Sequence, residues 1–142
     1  MQRYLQRISG PLLDRIDIHI EVPRLQHEEL LGRPQGELSA TIRERVVKAR
    51  QMQQERFAKE RRPLYANGAM EAGQIRKHCP VDGEGKELLR SAIQQLGLSA
   101  CAYHRILKLS RTISDLAGSA EVGVPHVAEA IQYRTLDRRL WG

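Results

Sequence analysis

The chain has 142 residues, 41% of them apolar and 28% charged, with a net charge of +6; that suffices for one real core and excludes a disordered or membrane-embedded chain. No apolar run approaches the roughly 20 residues that cross a bilayer, Met1–Arg7 has no apolar signal-peptide core, and six aromatic residues are too few for a single-strand stacking platform. The two cysteines, Cys79 and Cys101, read as reduced thiols of a cytoplasmic protein, not as a disulfide framework.

In chain order, Gly10-Pro11 opens a short helical turn over 12–17, since proline suits a first helical position. Ile18-His19-Ile20-Glu21-Val22 then alternates apolar and polar residues up to Pro23, which predicts a strand. A lone strand leaves its backbone groups unpaired, so this stretch is expected to come from a larger sheet. Residues 24–38, with Gly32, Pro34 and Gly36, read as a connector with a turn of helix at Glu28–Leu31.

The rest reads as helix. Ser39 is expected to cap a long helix to about Ala58, with Ile42, Val46, Ala49, Gln53 and Phe57 near one face and most of the basic residues opposite. A loop surrounds Asn67-Gly68, and Glu71–His78 forms a short helix stopped before Pro80. Asp82 caps a helix from Gly83 to Leu96, with Gly97 as its stop, and Ser99 caps the next, from Ala100 to Ala117. Pro125 opens a final helix reaching about Arg138. The fold expected is mostly α, a helical bundle preceded by a short helix and one orphan strand.

The charge excess is local. Residues 39–62 carry eight basic side chains against three acidic ones, whereas the flanking regions are nearly balanced. Such a segment either attracts a polyanion, nucleic acid first, or forms a solvated helix face; Arg43, Lys48, Arg50, Arg56 and Lys59 are the candidate contacts. No phosphate-cradling loop is present, because in Gly83-Glu84-Gly85-Lys86 the preceding glycine position is Pro80 and the last is Glu87. His78-Cys79 and the Cys101/His104 pair lack a second matching pair, so no metal site is expected. Cys101 has no base partner in the sequence and reads as a partly buried, inert thiol. The helix–Gly97–helix outline over 93–112 is shared by groove-reading DNA binders and by any two antiparallel helices with a tight turn. Its second helix offers a basic face at Arg105, Lys108 and Arg111.

The run Arg7-Ile8-Ser9-Gly10-Pro11-Leu12-Leu13-Asp14-Arg15-Ile16-Asp17-Ile18-His19-Ile20-Glu21-Val22-Pro23 resembles the end of the ATPase core in magnesium-chelatase-like AAA+ proteins, in their bacterial competence-protein branch. Leu98–Lys108, Arg111–Leu116 and Ala128–Arg134 are similar to the C-terminal helical domain of that family, so the resemblance spans nearly the whole chain. It implies residues 1–23 as the tail of an ATPase core, 24–38 as a linker and 39–142 as a helical lid. It also implies ATP and Mg²⁺ as cofactors of a full-length protein, with none held by this fragment and no activity in isolation. A ring of neighbouring subunits, most simply a homo-hexamer, would work on DNA in branch migration during natural transformation, away from any membrane.

Residue by residue, the resemblance makes Arg15 an arginine finger reaching the γ-phosphate held by a neighbouring subunit, a task that suits a fixed, forked charge. The family's sensor-2 arginine falls here at Cys101, a departure, because a thiol makes no charge contact with a phosphate. Arg105, one turn later, or Lys108 would then substitute. Two other readings stay open: a stand-alone helical DNA-binding module, and the motor subunit of a magnesium chelatase.

Overall fold

The computed structural model describes residues 12, 15–20, 22–24 and 36–134. Helix α1, Ser39–Phe57, is a run of nineteen residues without glycine or proline, a composition that loses little free energy on becoming helical. Its cap is Leu38, in extended backbone with no side-chain bond, and Ser39 is already the first helical residue. Only Ala49, Gln53 and Phe57 are buried. The expected apolar stripe therefore meets the core along its second half alone: Ile42 and Val46 stay 42% and 45% exposed. A helix of this length runs about 28 Å, and its first half outreaches the body on which it packs.

A 3₁₀ turn at Asn67–Ala69 follows, then α2, Ala72–His78, whose entry is fixed by Gln74 Oε1 accepting the Glu71 N–H at 2.8 Å. Helix α3, Gly83–Leu96, is capped as the sequence predicts, with Asp82 accepting the Gly85 N–H at 2.7 Å. It stops at Gly97, whose φ of 61° is left-handed backbone that favours glycine. Helix α4, Ala100–Leu116, begins with Ser99 accepting the Ala102 N–H at 3.1 Å. Helix α5, Val124–Gln132, has Pro125 in its first turn and His126 Nδ1 accepting the Gly123 N–H at 3.0 Å. It ends at Gln132, short of the expected Arg138, and residues 135–142 lie outside the described residues.

Helix α4 is the hub. It packs against α1, α2, the 3₁₀ turn and α5, while α5 also packs against α3. The helix pair around Gly97 is thus a connection and not the main packing pair, because α3 packs chiefly against α5. A parallel bridge between Val81 and Val122 ties the approaches to α3 and α5 together. Phe57, Met70, Ile75, Leu89, Ile106 and Val127 are among the core residues, so each of the helices α1 to α5 contributes apolar side chains to one interior.

Among the described residues the predicted strand does not form. Residues 18–20 and 22 are irregular, and Glu21 lies outside the described residues. A strand needs a neighbour to take its backbone groups, and the His19 N–H instead donates to Tyr133 O at 3.0 Å, just past the end of α5. The turn before it is present: Arg15 N–H donates to Leu12 O at 3.0 Å. Leu13, Asp14 and the expected helical turn at 28–31 lie outside the described residues. Among the described residues no helix is long and apolar enough to cross a membrane.

Candidate functional site

Three contacts join the turn that carries Arg15 to the bundle, one to α4 and two to the residues just past α5. The Arg105 guanidinium on α4 pairs with Asp17. Arg134, in the turn after α5, donates through Nη1 to Ile16 O, and His19 N–H reaches Tyr133 O. Arg134 is 1% exposed, and its bond to Ile16 O draws residue 16 onto the bundle across 118 positions of sequence. Arg15 itself is exposed and makes no ion pair among the described residues. The result is a solvent-facing guanidinium on a turn anchored immediately beyond it, which is the geometry needed to present a charge to something outside this chain.

The sensor-2 position implied by the resemblance, Cys101, and its expected substitutes Arg105 and Lys108 stand at spacings of four and three along one stripe of α4. Their surroundings differ. Cys101 is exposed, not partly buried as its sequence context suggests, because the first turn of α4 turns Ala102, and not Cys101, into the core. Arg105 is engaged by Asp17, and Lys108 Nζ donates to Gly68 O at 2.9 Å, holding the 3₁₀ turn. Arg111 is not part of a basic face. It is 2% exposed and donates to Asp115 Oδ1 at 3.1 Å, Ser114 Oγ at 2.7 Å, Ser119 O at 2.8 Å and Ala120 O at 2.9 Å. The α4 surface is therefore spent on intramolecular contacts and offers no three-residue basic edge to a DNA groove.

On α1 and just past its end the basic candidates divide. Arg43, Lys48, Arg50 and Lys59 are exposed, with Arg50 Nη1 only 3.3 Å from Gln53 Oε1. Arg56 turns inward: it pairs with Asp115 through both terminal nitrogens and donates to Asn67 Oδ1 at 3.0 Å. Asn67 completes the cluster by donating to Asp115 Oδ2 at 2.8 Å and Thr112 Oγ1 at 3.1 Å. Burial pushes the Asp115 carboxyl up, but hydrogen bonds from Arg56 and Asn67 and the charges of Arg56 and Arg111 outweigh it and hold the group below its ordinary value. Beyond the helix, a cleft of about 510 Å³ is lined by Lys59, Arg61, Arg62 and Lys77 together with Glu60 and Glu71. Bonds from Lys77 and His78 hold Glu60 low.

Asp17, Arg134 and Asn67 carry no signal in the sequence that singles them out. Arg111 and Asp115, four apart on a helix, are the one visible hint of the buried cluster. In sequence Arg134 falls inside the final helix expected to reach about Arg138, and Asn67 in the loop around Asn67-Gly68. Burial pushes the Cys79 thiol up to about 11, which removes it from nucleophilic chemistry. No group of three His, Cys, Asp or Glu among the described residues is placed to hold a metal ion. Of the residues expected near a nucleotide, Arg15 is the exposed cation without an ion pair among the described residues.

Two family models match: magnesium chelatase subunit ChlI over residues 1–30, and the C-terminal region of the same subunit over residues 36–134. The competence protein ComM of Haemophilus influenzae is 44% identical over 99% of this chain. The uncharacterised YifB of Escherichia coli is 39% identical over 97%, and an uncharacterised protein of Mycobacterium tuberculosis is 30% identical over 97%. The chain spans about a quarter of the length of these relatives, 26% in the case of ComM. The match across the helical bundle and the match across the Arg15 turn agree, and the chain belongs to the magnesium chelatase subunit ChlI family, with its bundle as the C-terminal domain.

Proposed function

We propose that this chain is the C-terminal part of a cytoplasmic AAA+ ATPase resembling ComM, in which residues 1–23 close the ATPase core, 24–38 link it to the lid and 39–142 form the lid. Subunits of a ring, most simply a hexamer, would place Arg15 against the γ-phosphate of ATP bound by the neighbour, and hydrolysis would drive movement on DNA, with branch migration in natural transformation as the setting. ATP with Mg²⁺ supplies the phosphoryl chemistry; this chain's part is to present a fixed positive charge where negative charge develops. The observation that supports this reading is Arg15, exposed and without an ion pair among the described residues, on a turn held by three contacts. The exposed Arg43, Lys48 and Arg50 on α1 and Lys59 just past its end are the surface offered to DNA.

The test is Arg15→Ala in the full-length protein carrying this chain. Loss of an arginine finger lowers kcat by roughly 10³–10⁵ while leaving KM for ATP nearly unchanged. An unaltered kcat would sink the finger assignment. A second reading, the motor subunit of a magnesium chelatase, is favoured by the family description itself; ATP-dependent insertion of Mg²⁺ into a porphyrin by the full-length protein would support it over the DNA motor.

A further inference from the structure

We infer that Arg105 is a positioning residue: through its ion pair with Asp17 it makes the Arg15 turn move as one piece with helix α4 of the lid. The inference rests on the reading of Arg15 as a finger and gives Arg105 a role different from nucleotide contact. Its grounds are geometric. Arg105 and Asp17 are 88 residues apart, and Asp17 lies two residues beyond Arg15 on the same turn. The second anchor, Arg134 to Ile16 O, lies one residue beyond Arg15, and the third, His19 N–H to Tyr133 O, four beyond. The last two bind the turn to the end of α5. The Asp17 pair binds it to α4, the helix against which α1, α2, the 3₁₀ turn and α5 all pack.

The pair also has the properties of an adjustable contact. Its side chains are 28% and 56% exposed, so it adds little to the stability of the bundle, and its loss leaves the core residues of α4, Ala102, Ile106 and Leu107, where they are. What it sets is where Asp17 sits relative to α4. A guanidinium acting in trans must reach a phosphate with a tolerance of about 1 Å, and a misplacement of that order costs up to about 100-fold in rate. Rotation of the lid about the chain's own nucleotide would thereby carry Arg15 toward or away from the nucleotide of the neighbour.

Two measurements on Arg105→Ala, Arg105→Lys and the charge-exchanged pair Asp17→Arg/Arg105→Asp test this. In the 142-residue chain, amide hydrogen exchange at His19, whose N–H bonds to Tyr133 and not to Arg105, should speed up several-fold in Arg105→Ala. It should return toward the wild-type rate in Arg105→Lys and in the exchanged pair. In the full-length ATPase, Arg105→Ala should lower kcat by roughly 10–100-fold with KM for ATP unchanged, and adding Arg105→Ala to Arg15→Ala should cost nothing further. A raised KM with unchanged His19 exchange would make Arg105 a direct nucleotide contact and overturn the positioning role. Additive losses in the double variant would overturn it as well. If Arg15→Ala alone leaves kcat intact while His19 exchange still responds to Arg105→Ala, the finger reading fails and the coupling of the turn to α4 survives as a structural fact.

Discussion

Burial by itself would raise the Asp115 carboxyl, yet Arg56, Asn67 and Arg111 surround it so closely that it is held below its ordinary value of 3.8. A group depressed on folding contributes stability that is fully present above its unfolded value and is lost as pH falls through its folded one. The acid limb of unfolding, below about pH 4, should therefore carry the signature of Asp115. Asp115→Asn removes the only carboxylate bonded to the buried Arg111 among the described residues, and an uncompensated buried charge costs about 3–5 kcal/mol. Urea unfolding near neutral pH should show that loss, and the variant's stability should fall less steeply than wild type as the pH drops from about 4 to about 3. A variant within about 1 kcal/mol of wild type at neutral pH would mean that the cluster is solvated enough to do without its anion.

The element that departs most from its amphipathic reading is α1. Ile42, Val46 and Phe57 share one periodicity, but Phe57 is 4% exposed against the edge of the His78 ring, with centroids 5.3 Å apart, whereas Val46 faces solvent. Periodicity reports which residues share a face and says nothing about how far the partner surface extends. The consequence is measurable. Val46→Ser should change stability by no more than about 0.5 kcal/mol, as for exposed substitutions generally, whereas Phe57→Ala should cost about 3–5 kcal/mol through the cavity it leaves. Comparable losses for the two in chemical denaturation would show that the first half of α1 is packed in solution.

On the scale of the whole molecule, the +6 charge is sorted by the fold into cations that hold the bundle together and cations that remain outside it. Arg56, Arg111 and Arg134 are inside, Arg105 and Lys108 are engaged across element boundaries, and Arg43, Lys48, Arg50 and Lys59 are outside. If the outer set meets DNA, each phosphate contact contributes about one unit to the slope of affinity against salt. Lys48→Ala and Arg50→Ala should each weaken duplex binding and reduce that slope by about 1, whereas Arg56→Ala should destabilise the fold and leave the slope unchanged. A slope reduced as much by Arg56→Ala as by Lys48→Ala would contradict the sorting.

Capping residues, stop glycines and helix periodicity act over a few residues, so Asp82, Gly97, Ser99 and Pro125 mark the ends and starts of α3, α4 and α5 in the sequence itself, to within a residue or two. Family resemblance, carried by long contiguous motifs, is equally legible there. Pairing over distance is not. Whether residues 18–22 become a strand depends on a partner, not on their own alternation, and here the partner on offer is the end of α5. Whether an arginine is a surface charge or a core residue depends on which carboxylate folding brings to it. Arg56 and Lys59 look alike in sequence; one meets Asp115 59 positions away and the other meets water. Arg105 is the sharpest case, since the family resemblance implies a nucleotide contact there, and only the three-dimensional return of Asp17 brings it to the Arg15 turn.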